Sequence, residues 1–421
     1  MKRIAVIGAG ISGLTAARAL SREHQVVLFE AEAQVGGHTR TVAVHDGERQ
    51  LQVDVGFIVF NDRTYPHFNQ LLDELGVARQ PTRMGFAVRC ERTGLEYSGD
   101  GLGGLFAQRR NLFSPAHYRM IGDILRFNRE APALLAQGGS DIPLADYLDQ
   151  GGYGQRFRDQ YIVPMGGAIW SCSAAQMAAF PAKFFVRFFA NHGLLSIRNR
   201  PQWYVVPGGS YRYVEKLLAG LSAELRTATP VQRLHRIDSG VQVDSSAGSE
   251  RFDEVVLACH SDQALALLDD ADADAQALLK DIPYQDNDVV LHTDTRLLPT
   301  NRRCWSSWNA LIAPRQAAAV APDAPQRVQL TYNMNILQGL QSRQTWCVTL
   351  NATDRIDPQT IIQRFNFSHP LFTPAGLAAR DRLLDTINGR RQIWFCGAWC
   401  GNGFHEDGVV SALNVARGLL T

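Results

Sequence analysis

Lysine is nearly missing from this chain: it stands at positions 2, 183, 216 and 280 and nowhere else, so arginine carries almost all the positive charge. That charge is not concentrated. The 42 Lys and Arg face 41 Asp and Glu, leaving a formal charge of +1, and without a basic stretch a nucleic-acid partner has no electrostatic footprint. The cysteines at 90, 172, 259, 304, 347, 396 and 400 include no CxxC pair and no Cys/His cluster at zinc-finger spacing. Neither a disulfide framework nor a metal site is expected from them. No apolar run reaches the roughly 18 residues that cross a bilayer. What remains is ordinary for a folded protein, 45% hydrophobic and 20% charged over 421 residues, which at about 150 residues per domain gives two or three domains.

The first twenty residues superficially copy a signal peptide, with Met1-Lys2-Arg3, an apolar stretch and Ala17-x-Ala19. A second reading accounts for more. RIAVI (3–7) reads as a β-branched strand, Gly8-Ala9-Gly10-Ile11-Ser12-Gly13 as a GxGxxG turn, LTAARALSREH as a helix, and VVLFE (26–30) as a second strand ending in an acid. Gly8 allows the tight turn, Gly10 lets backbone approach a pyrophosphate, and Gly13 lets helix and strand pack closely. The helix N-terminus, with Ile11 and Ser12, then offers its N–H groups to the phosphates, and Glu30 can accept from a ribose diol. Cleavage would separate Glu30 from the glycines, so a cytoplasmic protein is expected.

Immediately after Glu30 come Ala31 and the Glu-x5-Gly36-Gly37-His38-Thr39 segment, which resembles the stretch that flavoproteins of the glutathione-reductase superfamily bring to FAD. IWFCGAWCGNGFHEDGVVSALNVARGL resembles the closing FAD motif of the flavin-containing amine oxidase, phytoene desaturase and protoporphyrinogen oxidase superfamily. It reads as a strand to Cys396, a turn at Gly397-Ala398 and a helix from about Gly408. TPVQRLHRIDSGVQVDSSAGSERFDEVVLACH resembles that superfamily's central FAD stretch, with Val231 beside the adenine. GFIVFNDRTYP, opening at Gly56-Phe57, QYIVPMGGAIWS, NHGLLSIRNRPQW and GFHEDG resemble a bacterial, amine-oxidase-like subgroup.

The resemblance implies an α/β fold: a Rossmann-like FAD-binding domain interrupted by a mixed α+β substrate domain. It implies FAD, and redox chemistry on an apolar, lipid-like small molecule, with oxygen or another acceptor taking the electrons. The FAD-binding domain is expected from residues 1–85, 205–285 and 385–421. The substrate domain is expected from a helical part, 86–204, and a sheet part, 286–384. The cofactor residues are then Gly8, Gly10, Ile11, Ser12, Gly13, Glu30, Ala31, Gly36, Gly37, His38, Thr39, Gly56, Phe57, Val231, Gly397, Ala398, Gly408, Val409 and Ser411. No cysteine stands where a thioether link to FAD would need it, so the FAD should be non-covalent.

Two departures from the family pattern bear on the chemistry. Many amine oxidases of the family have a lysine in the strand after the central stretch, where this chain reads PYQDNDVVLHTD. His38 stands where relatives often have arginine, and Arg40 is positioned to compensate. Candidate catalytic residues are His405, Trp399 and Tyr332, with Phe404 beside the closing turn helping to position substrate. His405 and Glu406 could be an acid/base pair near the substrate or simply brace their own turn, and Asp407 is expected to cap the closing helix. Phe180, Phe184 and Phe188 form a helical stripe, either core or the wall of an acyl-chain tunnel or a face in peripheral membrane contact. Oxidation or desaturation of an acyl chain, isomerisation, amine oxidation and a non-catalytic flavin module all remain open.

Overall fold

The computed structural model describes residues 1–136, 138, 141–196, 198–314 and 328–420. A parallel sheet runs in the order Glu224–Arg226, β2 (Gln25–Phe29), β1 (Arg3–Ile7), Glu254–Leu257, Ile393–Phe395. Its central strands read as continuous apolar runs because both faces are covered; Ile4, Ala5, Val6, Val27 and Leu28 have no exposed surface. Helix α1 (Ile11–Leu20) follows β1 and packs along α5, the last helix (His405–Leu420). Between them in sequence lie α2 (Pro66–Glu74), α3 (Pro115–Glu130) and α4 (Ala182–Asn191).

A second sheet of seven strands runs in the order Ile361–Pro370, Tyr284–His292, Cys347–Leu350, Gln329–Asn333, Trp308–Ile312, Phe86–Cys90, Leu95–Ser98. Two of these strands come from the stretch expected to be helical. Phe86–Cys90 and Leu95–Ser98 form a hairpin whose turn closes at Gly94, with φ +66°, and its period-two alternation places it in the sheet. The turn 101–104 leads into a helix of four residues after an antiparallel strand, which is not a dinucleotide-binding unit.

Of the phenylalanine stripe, Phe180 and Phe188 are buried against Trp170, and Phe184, partly exposed, lies against Phe180 and Phe372. The closing helix starts at His405, three residues before Gly408, because Asp407 Oδ2 reaches back to accept the Phe404 N–H at 2.9 Å, half of a capping box. Among the described residues no helix is long and apolar enough to cross a membrane.

Candidate active site

The glycine loop is built by close approach. A Cβ on Gly13 would lie 1.8 Å from the Gly8 carbonyl oxygen, and Gly8 itself has φ +101° with Ala258 O 2.8 Å from where its Cβ would be. Gly10 differs: a Cβ there would meet nothing nearer than Gly37 Cα at 4.0 Å. The backbone beside Gly10 is therefore open to a ligand, and Gly10 caps α1 with no side-chain hydrogen bond to its first N–H groups. Those are the orphan donors that a phosphate satisfies.

The flanking segments converge on this loop. Gly36 N donates to Ala9 O and Thr39 N to Gly36 O, both at 2.9 Å. Gly36 and Gly37 take φ +116° and +56°, a region open chiefly to glycine. Gly56 must be glycine as well, since its Cβ would fall 2.0 Å from His38 O, and Phe57 N donates to that same carbonyl at 2.8 Å. Glu30 Oε2 accepts from Ala9 N at 2.8 Å and Oε1 from Glu32 N at 3.0 Å. Residues 226–229 run along 30–32 through Glu30 N to Arg226 O and Thr229 N to Glu30 O, each 2.9 Å. Val231, two residues on, is partly buried against the core that holds Phe29.

From the other side, Gly408 of α5 faces Ser12 and Ile11: its Cβ would stand 2.8 Å from Ser12 Oγ. Ser411 Oγ accepts from Gly397 N at 3.0 Å and fixes the Gly397-Ala398 turn, while Val409 is buried in the core between α1 and α5. Two helix N-termini thus meet at one place. Arg40 adds a cation there whose Nη1 is buried with no partner. His38 supplies no charge, since burial, reinforced by His260, lowers it to about 4. An uncapped helix start, an open glycine backbone and an unpartnered guanidinium nitrogen fit a dinucleotide such as FAD.

The catalytic candidates scatter. His405 stacks on Phe57 with ring centroids 3.5 Å apart, and its Nε2 lies 2.7 Å from Tyr213 Oη and 3.2 Å from Thr39 Oγ1. Burial lowers its pKa well below the usual histidine range; it braces the cofactor loop as a neutral ring. Glu406 is no acid/base partner for it. Its two oxygens accept from His67 N and Phe68 N at 2.9 Å, capping α2. Trp399 is a correction: its indole is 1% exposed and donates to Cys259 O at 3.2 Å, so it stands in the core and not against substrate. Phe404 is partly exposed and stacks on Phe188 at 5.0 Å. It lines a recess of about 380 Å³ with Arg63, His192 and Asn402. Tyr332 lies apart from these, on the seven-stranded sheet against Trp308.

Sequence reading passed over a pair on that sheet. Asn287, fully buried in the lysine-less strand, stands 3.2 Å through Nδ2 from His369 Nδ1, and its Oδ1 accepts from Asn351 Nδ2 at 3.0 Å. Ser171 Oγ lies 3.0 Å from the same His369 nitrogen, and Ser171 holds a left-handed φ of 55°, unfavourable for a side chain. An amide nitrogen can only donate, so Nδ1 accepts and the His369 proton sits on Nε2. Burial lowers this imidazole to about 3. His369 stacks on His38 at 5.5 Å, which joins the sheet to the cofactor loop. Among the described residues no group of three His, Cys, Asp or Glu is placed to hold a metal.

A family model of flavin-containing amine oxidoreductases matches residues 11–315, well over half of the chain. The chain belongs to that family. A candidate flavin-containing monoamine oxidase of Mycobacterium tuberculosis is 27% identical over 269 residues, 61% of this chain and 56% of the relative, so the matched stretch spans about half the length of that relative. Two solved structures share the family fold across nearly the whole chain. Cyclohexylamine oxidase from Brevibacterium oxydans has a TM-score of 0.70 at 16% identity, covering 100% of both chains. A fatty acid isomerase from P. acnes has a TM-score of 0.67 at 17% identity, covering 99% of this chain and 98% of the other.

Proposed function

We propose that the protein is an FAD-dependent oxidoreductase acting on an uncharged, apolar substrate, with a long unsaturated or branched acyl chain as the substrate class. The observation that carries this reading is one face of the seven-stranded sheet. Registered pairs place Val289 beside Phe365 and Leu350, Tyr332 beside Val348 and Trp308, Trp308 beside Phe86, and Asn287 beside Phe367. Directly paired residues share a face, and this one carries aromatic and aliphatic side chains with neither acid nor lysine. An ammonium entering it would lose its water without gaining a partner, whereas an acyl chain loses nothing of the kind. The acids nearest the closing turn, Glu406 and Asp407, are engaged as helix caps.

When bound, the flavin supplies hydride acceptance at N5, with oxygen or another acceptor taking the electrons onward. The chain's own part is to bind and orient. Glu30 and the first turn of α1 hold the dinucleotide, Gly408 brings the start of α5 to it, and His369 presents a neutral Nε2–H donor beside the cofactor loop. Burial raises Asp407 to about 6, so at neutral pH it is largely ionised and serves as a helix cap and not as a proton donor. Anaerobic stopped-flow spectra test the proposal: acyl lipids should bleach the flavin faster than benzylamine or putrescine. Bleaching by amines with none by any acyl lipid would return the protein to amine oxidation. Turnover of an acyl chain without consumption of an acceptor would make it an isomerase.

A further inference from the structure

Five of the ten large apolar side chains that stand exposed among the described residues, Leu102, Leu112, Phe113, Tyr118 and Leu125, fall between residues 102 and 125. Phe113 is 88% and Leu102 75% exposed, far more than packing on a folded surface leaves by chance in one short stretch. They are held together. His117 Nε2 lies 3.0 Å from Leu105 O, tying the Leu102–Leu105 turn to the first turn of α3, and Phe106 rests on Tyr118 at 5.6 Å. Leu112 and Phe113 end the Arg109–Phe113 turn that runs directly into α3.

The charge within the stretch is basic, and the exposed Asp100 that precedes it accepts from Ser306 Oγ at 2.7 Å. Residues 101–122 contain Arg109, Arg110 and Arg119 and no acid, and none of the three arginines pairs with a carboxylate among the described residues. Asp123, which follows, is turned inward to Gly154 N at 2.9 Å and Arg126 Nη2 at 3.0 Å. Apolar tips ringed by unpaired guanidinium groups match an anionic bilayer surface, where the tips enter the interfacial layer and the arginines meet lipid phosphates. We infer that residues 102–125 dock the protein reversibly on anionic membranes. The inference stands apart from the substrate reading.

Co-flotation of the FAD-loaded protein with vesicles of phosphatidylcholine and phosphatidylglycerol in equal parts tests it, with pure phosphatidylcholine alongside. The wild type should float with the mixed vesicles, less at high salt, and poorly with phosphatidylcholine alone. Phe113→Ser should lower the bound fraction about fivefold or more, and Arg109→Glu with Arg119→Glu should abolish it. Ile237→Ser, an exposed apolar position elsewhere, should bind as the wild type does. These side chains support nothing in the core, and an unchanged FAD content verifies each fold. Flotation unaffected by Phe113→Ser, no flotation at all, or a dimer that Phe113→Ser dissociates would overturn the inference.

Discussion

Single side chains at this site do two things at once, and the choice of substitution decides which is measured. Glu30 receives the Ala9 N–H, and in the proposed function it also receives the ribose hydroxyls. Glu30→Gln keeps an acceptor for Ala9 while removing the charge, so it should weaken FAD retention by about 0.5–3 kcal/mol with the melting temperature of the apoprotein unchanged. Equal FAD affinity in a titration of apoprotein would displace Glu30 from the ribose. Asn287 offers the complementary experiment. Its amide holds His369 in one neutral tautomer, and Asn287→Asp sets a carboxylate where that donor stood, which favours the imidazolium. The His369 pKa should rise from about 3, read by NMR as a shifted imidazole titration relative to the wild type. Matching titrations for the two proteins would mean that Asn287 does not govern the ring.

Elements show where the chain could be read in advance. β1, the glycine turn, α1 and β2 were legible because the whole unit lies within thirty residues and its glycines stand at the spacing a tight strand-to-helix turn requires. The closing helix was legible in existence but not in its start: nothing local announces that Asp407 bonds back to Phe404. Still less does sequence show that Glu406 caps a helix 338 residues away, or that Asn287 and His369, 82 apart, are neighbours on one sheet face. The first comes from the packing of two distant helices and the second from strand register, and neither has a signature in either segment alone. Where two elements meet, Gly408→Ala is the direct test. Its methyl group would press on Ser12 Oγ at 2.8 Å and Ile11 Cγ2 at 2.9 Å, driving α5 from α1 at the point where both helix starts face the cofactor. Alanine suits a helix better than glycine, so helicity by circular dichroism should persist while FAD content falls. Full FAD content in the purified variant would show that the two N-termini tolerate separation.

The molecule as a whole carries an imbalance in buried titratable groups, and its sign can be worked out. Burial lowers His38, His192, His260 and His292 to about 4 and His369 to about 3 from the usual 6.5. Between the two values the unfolded chain binds protons that the folded chain refuses, so each histidine costs stability as pH falls through 6.5 toward 4, and the loss is complete below that. Asp54 and Asp407 act oppositely. Burial raises them to about 7 and about 6, so the folded form takes up their protons first and gains stability as pH falls toward the ordinary carboxylate value near 4. His117 and His405 are lowered in the same sense as the five histidines, so those five and two more oppose the two carboxyls, and the histidines prevail. Three of the five, His38, His260 and His369, gather at the cofactor loop, with His38 6.1 Å from His260 and 5.5 Å from His369 between ring centroids. Charging them forces like charges together where the Arg40 guanidinium already stands, its Nη2 on Gln34 O and its Nη1 without a partner. The melting temperature should therefore be highest near neutral pH and fall steadily from about 6.5 to about 4, with FAD released over the same interval and recoverable in the supernatant after acid treatment. Differential scanning fluorimetry with parallel flavin fluorescence follows both. A melting temperature that stays level or rises between pH 6.5 and 5 would mean that these histidines are charged in the folded protein, and flavin remaining on the acid-precipitated chain would mean a covalent bond.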